Sequence, residues 1–475
     1  MGKRFHTCDL NQPFLLSPAV QDWLPENHLA RFVAEVCERL NLSRIVAAYE
    51  RRDGRGKAAY HPLMLTRLLL YSYAIGVRSS RQIERATRQD LAFRYLAANQ
   101  QPDHDTIAAF RQAHLEELSD LFTQVLRMCR QVKLVRMGVL AIDGTKIQAN
   151  ASRAQTRSYE DLQISEQKLR ERMKQLLLEA QEVDEAEVAE QVGVDLLPPE
   201  YSDVQQRLKK IEQAKAVLEQ RAREEAAEVK AALEQVKAAG EKPDPTLRKR
   251  YSRKRSALPR AHAKANLTDP DSRLMMQSCG RGFLQAYNSQ LAVDAESQII
   301  VAALVCQNPE DRNQLLPVLA AVQEQELRPA QVVADAGYWN GEALQDKRLE
   351  GITVLVPPDA ARHGAHTTLA PSAPKTAFAQ RMRERLNSPE HQAIYRKRQG
   401  SVEPVLGRIK DTRGMRRFQF RGLAKVRAEW MIICLTHNLL KLHNARIAPP
   451  ASPHMPTSER QRRRRGPRHP YSRPR

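Results

Sequence analysis

Along the first third of the chain, apolar residues stand three and four positions apart, the period of a helix face. The stretches "HLARFVAEVCERLNLSRIVAAY" (28–49) and "HPLMLTRLLLYSYAIGV" (61–77) both read this way. "RSSRQIERATRQDLAFRYLAANQQPDHDTIAAFRQAH" (78–114) reads as shorter helices with polar starts, Ser79 with Gln82 forming a capping box and Asp105 a cap. Residues 26–131 are therefore expected to be helical. Short helices joined by tight turns, with Arg78, Arg81, Arg85 and Arg88 on the surface, suit a helix-turn-helix that reads DNA. An ordinary helical bundle with solvated arginines explains the same pattern, and no helix stands out as a recognition helix.

From Gly138 the period changes. "GVLAIDGTKI" opens a strand, and "GFLQAYNSQLAVDAESQIIVAALV" predicts a hairpin with strands near 284–293 and 298–305. Helix "NQLLPVLAAVQEQE", strand "QVVADAG", short helix "GEALQDKRLE" and strand "GITVLVP" follow. That alternation implies right-handed crossovers and parallel pairing. The apolar helix "AKVRAEWMIICLTHNLLKLH" closes the set and is expected to pack on the sheet. The fold class is α/β.

About 130 residues separate the first strand from the hairpin, and most are charged and helical. Val204, Leu208, Ile211, Lys215, Leu218, Ala222, Glu225, Val229, Ala232 and Val236 step by four and three as a coiled-coil seam. An earlier helix near 158–190 carries Leu162, Leu169, Met173 and Leu176. The two predict a helical hairpin projecting from the sheet domain. Its seam can pair internally or with another subunit, and the second role is expected. "RKRYSRKRSALPRAHAKA" (248–265) reads as a basic loop, and the proline- and arginine-rich stretch from Pro449 as a disordered tail.

The chain has 475 residues and a net charge of +21, a field that suits a polyanion. Aromatic residues are only 5%, which argues against an extended stacking platform for single strands. The six cysteines show neither zinc-ligand spacing nor a disulfide framework, so a reduced cytoplasm is expected. The N-terminus lacks the apolar core of a signal peptide, and the most apolar helix is interrupted by Arg67.

Two apolar runs end on an aspartate: Asp143 after Val139–Ile142, and Asp335 in "VVADAGYWN". A lone Asp-Gly is usually a turn. Two carboxylates at the carboxyl ends of neighbouring parallel strands instead mark the edge where ligands gather, and their oxygens suit Mg²⁺ or Mn²⁺. "RQGSVEPVLGRIKDTRG" adds Glu403, expected near a helix start with Ser401 as cap and Pro404 in the first turn. Lys410 would lie two turns on, about 10 Å along the same face. Arg398, Arg408, Arg413, Arg416 and Arg417 surround this stretch with phosphate-seeking charge.

"AIDGTKIQAN", "VVADAGYWN" and "YRKRQGSVEPVLGRIK" together resemble the three catalytic motifs of DDE transposases of bacterial insertion sequences. "HPLMLTRLLLYSYAIGVRSSRQIERA", "NLTDPDSRLM" and "GFLQAYNSQLAVD" extend the resemblance over roughly residues 10–445. It implies an RNase H-like mixed sheet with a helical N-terminal domain (1–132) and a catalytic domain (133–445) interrupted by a helical insertion (155–265), followed by the basic tail (446–475). It makes Asp143, Asp335 and Glu403 the catalytic metal ligands, for two Mg²⁺ or Mn²⁺ ions. It matches Tyr395, Arg398 and Lys410 to a tyrosine–arginine–glutamate–lysine signature, although the step from Arg398 to Glu403 is one residue longer than in the commonest form. With Arg413 and Arg417, these side chains are expected on DNA. The implied partners are double-stranded transposon ends and target DNA, held by a homodimer or larger assembly. Asn150, Asp269 and Asp271 are support candidates that a turn or cap explains equally well. Another RNase H-like nuclease, or a non-catalytic DNA-binding protein derived from a transposase, are the alternatives.

Overall fold

The structure of the chain, a computed structural model, describes residues 19–50, 58–190, 199–238, 240, 242–276, 282–358 and 376–447. The arginine-rich tail beyond residue 447 lies outside the described residues. Helices α1 (Leu29–Arg39), α2 (Ser43–Glu50), α3 (Pro62–Ala74), α4 (Ser80–Gln89), α5 (Leu91–Leu96), α6 (His104–Ala113) and α7 (Leu115–Gln131) come first. α3 is apolar on nearly every side and is buried accordingly. Two expected caps differ. Ser79 precedes α4 without a side-chain cap bond. The cap of α6 is Asp103, which accepts from the Thr106 N–H at 2.6 Å, and Asp105 sits inside the first turn.

A six-stranded sheet follows, built from β1 (Val139–Gln148), β4 (Arg273–Met276), β5 (Phe283–Asp294), β6 (Ile300–Cys306), β7 (Gln331–Val333) and β8 (Thr353–Leu355). Before β4 the chain forms a small separate ribbon of β2 (Thr156–Ser158) with β3 (Lys264–Asn266). β5 pairs antiparallel with β1 on one side. On its other side its first four residues meet β4 and its later ones β6. β7 runs parallel to both β1 and β8, so the sheet is mixed, with the crossover α11 (Leu315–Glu324) between β6 and β7. The helix expected at 341–350 is instead two 3-10 turns, Ala343–Gln345 and Lys347–Leu349.

Between β2 and β3 run α8 (Tyr159–Glu190), α9 (Pro199–Ala238) and α10 (Pro245–Lys254). Contacts of Arg172 with Glu200, Glu166 with Lys215 and Tyr159 with Glu219 show α8 and α9 packing antiparallel. Leu162, Ile211, Ala214 and Leu218 form their shared apolar seam. The seam is thus filled from within the chain, which corrects the expectation that Ile211 and Leu218 face another subunit. The expected basic loop also begins as a helix: Pro245 opens α10, and Lys254 pairs with Glu225 of α9.

After β8 come α12 (Ala377–Asn387), α13 (Pro389–Gly407), a π-helical turn (Arg408–Thr412) and α14 (Leu423–Ile447). α14 covers the sheet and packs against α7 and α3. Its buried Asn438 accepts from the Ile300 N–H at 2.9 Å and donates to the Ile300 carbonyl at 2.8 Å, supplying a partner for the start of β6. Trp430 Nε1 donates to the Gln290 carbonyl at 3.3 Å. No helix among the described residues is long and apolar enough to cross a membrane.

Candidate active site

Ala141 on β1 is level with Val333 on β7, and the parallel pairing stops there. Asp143 and Asp335 each lie two residues further on. Asp143 does not end its strand, because β1 continues to Gln148 against β5, so "IDG" is uninterrupted strand and not a turn. Asp335 leaves β7 and caps the 3-10 turn Ala336–Tyr338, accepting from the Gly337 N–H at 2.9 Å. Two different local structures thus carry two carboxylates past the same end of the β1–β7 pairing.

Glu403 arrives from α13, and its setting corrects the expected helix start. α13 begins at Pro389 under the cap of Ser388, so Glu403 and Pro404 are deep inside it and Ser401 is no cap. Proline has no N–H to give the carbonyl four residues back, which is that of Gly400. That carbonyl accepts instead from Gln298 Nε2 at 3.1 Å, while buried Ser401 Oγ donates to the Arg398 carbonyl at 3.0 Å. The β5–β6 turn therefore supports the helix at its proline.

Arg398, on the same helix, reaches Asp143 Oδ2 with Nη1 at 3.2 Å and faces Glu403 Oε1 with Nη2 at 3.7 Å. Its side chain is 11% exposed, where Glu403 is 54% exposed. Arg398 thus sits among the carboxylates and not on an outer DNA-facing surface. Tyr395 is half-buried and hydrogen-bonds Arg398; burial pushes its hydroxyl up.

A cleft of about 540 Å³ opens beside this cluster, lined by Asp143, Asp335, Asp311, Lys410, Lys146 and Arg416 among others. Burial pushes Asp143 up to about 7 despite Arg398, with Asp335 and Asp311 adding to the rise. Asp335 is raised for the same first reason, burial, and again by Asp311. Sequence reasoning missed Asp311, which lies in the turn after β6 with no apolar run to announce it. Its Oδ1 accepts from Asn288 Nδ2 at 2.7 Å and Gln290 Nε2 at 2.6 Å. Gln290 in turn accepts from the buried Tyr338 hydroxyl. A Cβ at Gly144 would stand 2.6 Å from both Asp311 Oδ1 and Gln290 Nε2, so the glycine of "IDG" is there to admit this pair.

Lys410 falls in the π-helical turn, where a regular helical count no longer applies. It lines the same cleft as Asp143 and Asp335 instead of lying beyond it. Burial lowers its ammonium, with Arg416 adding to the effect. Arg417 is exposed. Arg413 is not available to DNA: it is 5% exposed and donates to the carbonyls of Tyr73 and Ile433 and to Thr436 Oγ1. Gly76, at φ +87°, lies so close that a Cβ there would meet the Arg413 carbonyl oxygen at 2.6 Å. Arg78 also turns inward, donating to the carbonyls of Arg417 and Gly414. Both arginines tie the first helices to the segment after the π-helical turn.

Two family profiles match the chain. Residues 18–113 match the family described as Transposase domain (DUF772), and residues 251–439 match Transposase DDE domain. The chain belongs to the DDE transposases of insertion sequences. No curated protein and no solved structure matches it. The DDE match spans Asp335 and Glu403, while Asp143 precedes it and joins them through the sheet. A DDE transposase acts on DNA, and its family generally uses divalent metal ions. The donors here are all carboxylate oxygens, which fit a hard cation. Among the described residues, no three of them are placed to hold one ion together, and the Arg398 guanidinium bridges Asp143 and Glu403. The support candidates of this transposase have structural work. Asp269 accepts from the Tyr287 hydroxyl and the Gly422 N–H, and Asp271 from the Leu423 N–H, fixing the start of α14. Asn150 donates to the Gln419 carbonyl at 2.7 Å.

Proposed function

We propose that this transposase cleaves the ends of its element and joins the freed 3′-hydroxyl to target DNA, with Asp143, Asp335 and Glu403 as the catalytic carboxylates. The observation that carries the reading is that Asp143 and Asp335 each lie two residues beyond the last paired residues of adjacent parallel strands, Ala141 and Val333, and line one cleft, with Arg398 linking Asp143 to Glu403. Two Mg²⁺ or Mn²⁺ ions held by these carboxylates would activate the attacking oxygen and stabilise the leaving one in each in-line displacement.

The chain's own residues set the rest. Burial and mutual repulsion of Asp143, Asp335 and Asp311 make the cleft a place where added positive charge is favoured. Arg398 holds that place as a counter-cation and can follow Glu403 along the helix both share. Lys410, on the cleft wall, grips a phosphate as a point charge. Water is the first nucleophile and the 3′-hydroxyl the second, so no covalent protein–DNA link forms.

We assign residues 1–132 to recognition of the transposon ends, 133–445 to catalysis with the insertion at 155–265, and the arginine-rich 446–475 to non-specific affinity. Joining needs two ends in one complex, so the active assembly contains at least two copies. It works in the cytoplasm, on the nucleoid. The test supplies a pre-cleaved element end and a supercoiled target, with Mg²⁺ or with a chelator. Metal-dependent covalent joining is expected. Nicking without joining would favour an RNase H-like nuclease of another kind, and binding without either would favour a non-catalytic DNA-binding protein.

A further inference from the structure

Next to the catalytic cleft lies a second groove of about 500 Å³, and the two share Gln148 and Leu284. Arg153, Arg417 and Arg421 line it together with Phe283, and no acidic side chain does. All three arginines are exposed. Arg421 gives its Nε to the Asn150 carbonyl at 2.9 Å, and among the described residues none of the three pairs with a carboxylate. Three like charges converging without a counter-ion repel one another, and an anion that runs between them relieves the strain.

Phe283 supplies the second half of the argument. It is 50% exposed, at the first position of β5, and its cross-strand neighbour Met276 is 56% exposed. A large aromatic ring left open beside guanidinium groups is the combination that holds an unpaired nucleotide: the ring takes the base and the arginines take the phosphates. The groove has the volume of a small-molecule site, too small for a duplex.

We propose that this groove is a single-strand track, which receives unpaired nucleotides adjoining the scissile phosphate, with Phe283 stacking a base and Arg153 and Arg417 holding the backbone. The proposal rests on the transposase reading for its substrate, and names a contact that reading does not require. It also accounts for Gln148, which is held at the border of the two grooves because its backbone bonds the 416–418 segment on both sides. Strand β1 and the arginine segment are thereby fixed to each other, so the phosphate path bends from the carboxylates directly onto Arg417.

The test uses the full chain without metal and a short duplex of arbitrary sequence, blunt or with a single-stranded oligothymidine extension carrying one 2-aminopurine. The extension should raise affinity about five- to 150-fold, the range of one stacked base, and the 2-aminopurine fluorescence should fall on binding. Phe283→Ala should abolish the quenching and cut the affinity gain at least about five-fold, and Phe283→Trp should keep both. Arg153→Ala with Arg417→Ala should lower the salt slope on the extended probe by about 1.4, at 0.7 per lost single-strand phosphate contact. Equal affinity for the two probes, or full quenching by Phe283→Ala, would overturn the track. These outcomes separate from the fate of the catalytic reading. A chain that joins DNA normally but gains nothing from the extension refutes the track alone. A chain that quenches through Phe283 but never joins refutes the joining reaction alone.

Discussion

Arg398 touches Asp143 at 3.2 Å with one guanidinium nitrogen and faces Glu403 at 3.7 Å with another. A single cation thereby holds two of the three proposed catalytic acids, from the same helix that carries one of them. Removing it leaves Asp143 and Asp335 without the positive charge that opposes their burial. Arg398→Ala should lower the stability of the metal-free protein by about 1–3 kcal/mol. Mn²⁺ should then raise the melting temperature of the variant more than that of the wild type, because the ion replaces a lost charge. Equal Mn²⁺ shifts for both proteins would refute the counter-cation role.

Gly144 and Asp311 form the tightest steric relationship in the site. Gly144→Ala should cost about 1–3 kcal/mol by overpacking and should slow cleavage, since the displaced Asp311–Gln290 pair supports Tyr338. In Gly144→Ala with Asp311→Ala one of the two clashes is gone and Gln290, released from Asp311, can swing away from the methyl, so the two stability losses should be less than additive. Chemical denaturation of the four proteins in the cycle measures this, and strict additivity would mean that the two residues do not meet.

Arg413 and Arg417 are four residues apart and should behave oppositely. Arg413→Ala removes the buried guanidinium's bonds to the Tyr73 and Ile433 carbonyls and to Thr436 Oγ1, leaves a cavity, and should destabilise the fold by at least about 2 kcal/mol, with no change in the salt slope of DNA binding. Arg417→Ala should leave the melting temperature unchanged and lower the slope by about 0.7–0.9. Reversed results would return Arg413 to the DNA surface.

The sequence made the strand-borne acids legible because their period and position are local properties. Val139–Ile142 and Val332–Ala334 announce strands, and an aspartate after each is visible without knowing the fold. Asp311 was illegible because it follows no pattern and is held in place by Asn288 and Gln290 of β5, two strands away from β7 in the sheet. Proline misled the reading of α13: Pro404 looks like a helix start, and the carbonyl it orphans, that of Gly400, is satisfied by Gln298, a residue 102 positions away from Gly400. Charge was read as surface, yet Arg78 and Arg413 are spent on carbonyls between α3 and the segment before α14. The seam of α9 was legible as a seam, but its period cannot say whether the partner is α8 or a second copy.

His437 sets a pH signature for the fold. It is buried against the Gln298 carbonyl, and burial drives it from 6.5 to about 3. The unfolded chain then binds a proton that the folded chain does not, so this histidine's contribution is intact above about pH 6.5 and is lost as pH falls toward 3. Between pH 6.5 and 5 the loss is about 2 kcal/mol, at about 1.4 kcal/mol per unit. Asp143, raised to about 7, works in the opposite sense over that window, so the comparison must be with His437→Gln. Urea midpoints should fall more steeply with acid in the wild type than in the variant. Parallel curves would show that His437 takes up its proton while folded.

The catalytic assignment is tested most directly by strand cleavage with Asp143→Asn, set beside Asp335→Asn and Glu403→Gln. Each substitution keeps the shape of a side chain and removes one anionic oxygen donor. All three variants should bind end DNA within a few-fold of the wild type, since the basic surface is untouched, and all three should lose Mg²⁺-dependent cleavage. Normal Mg²⁺-dependent cleavage by Asp143→Asn would contradict the account, because the cleft that Asp143 and Asp335 line together would then have no part in the chemistry.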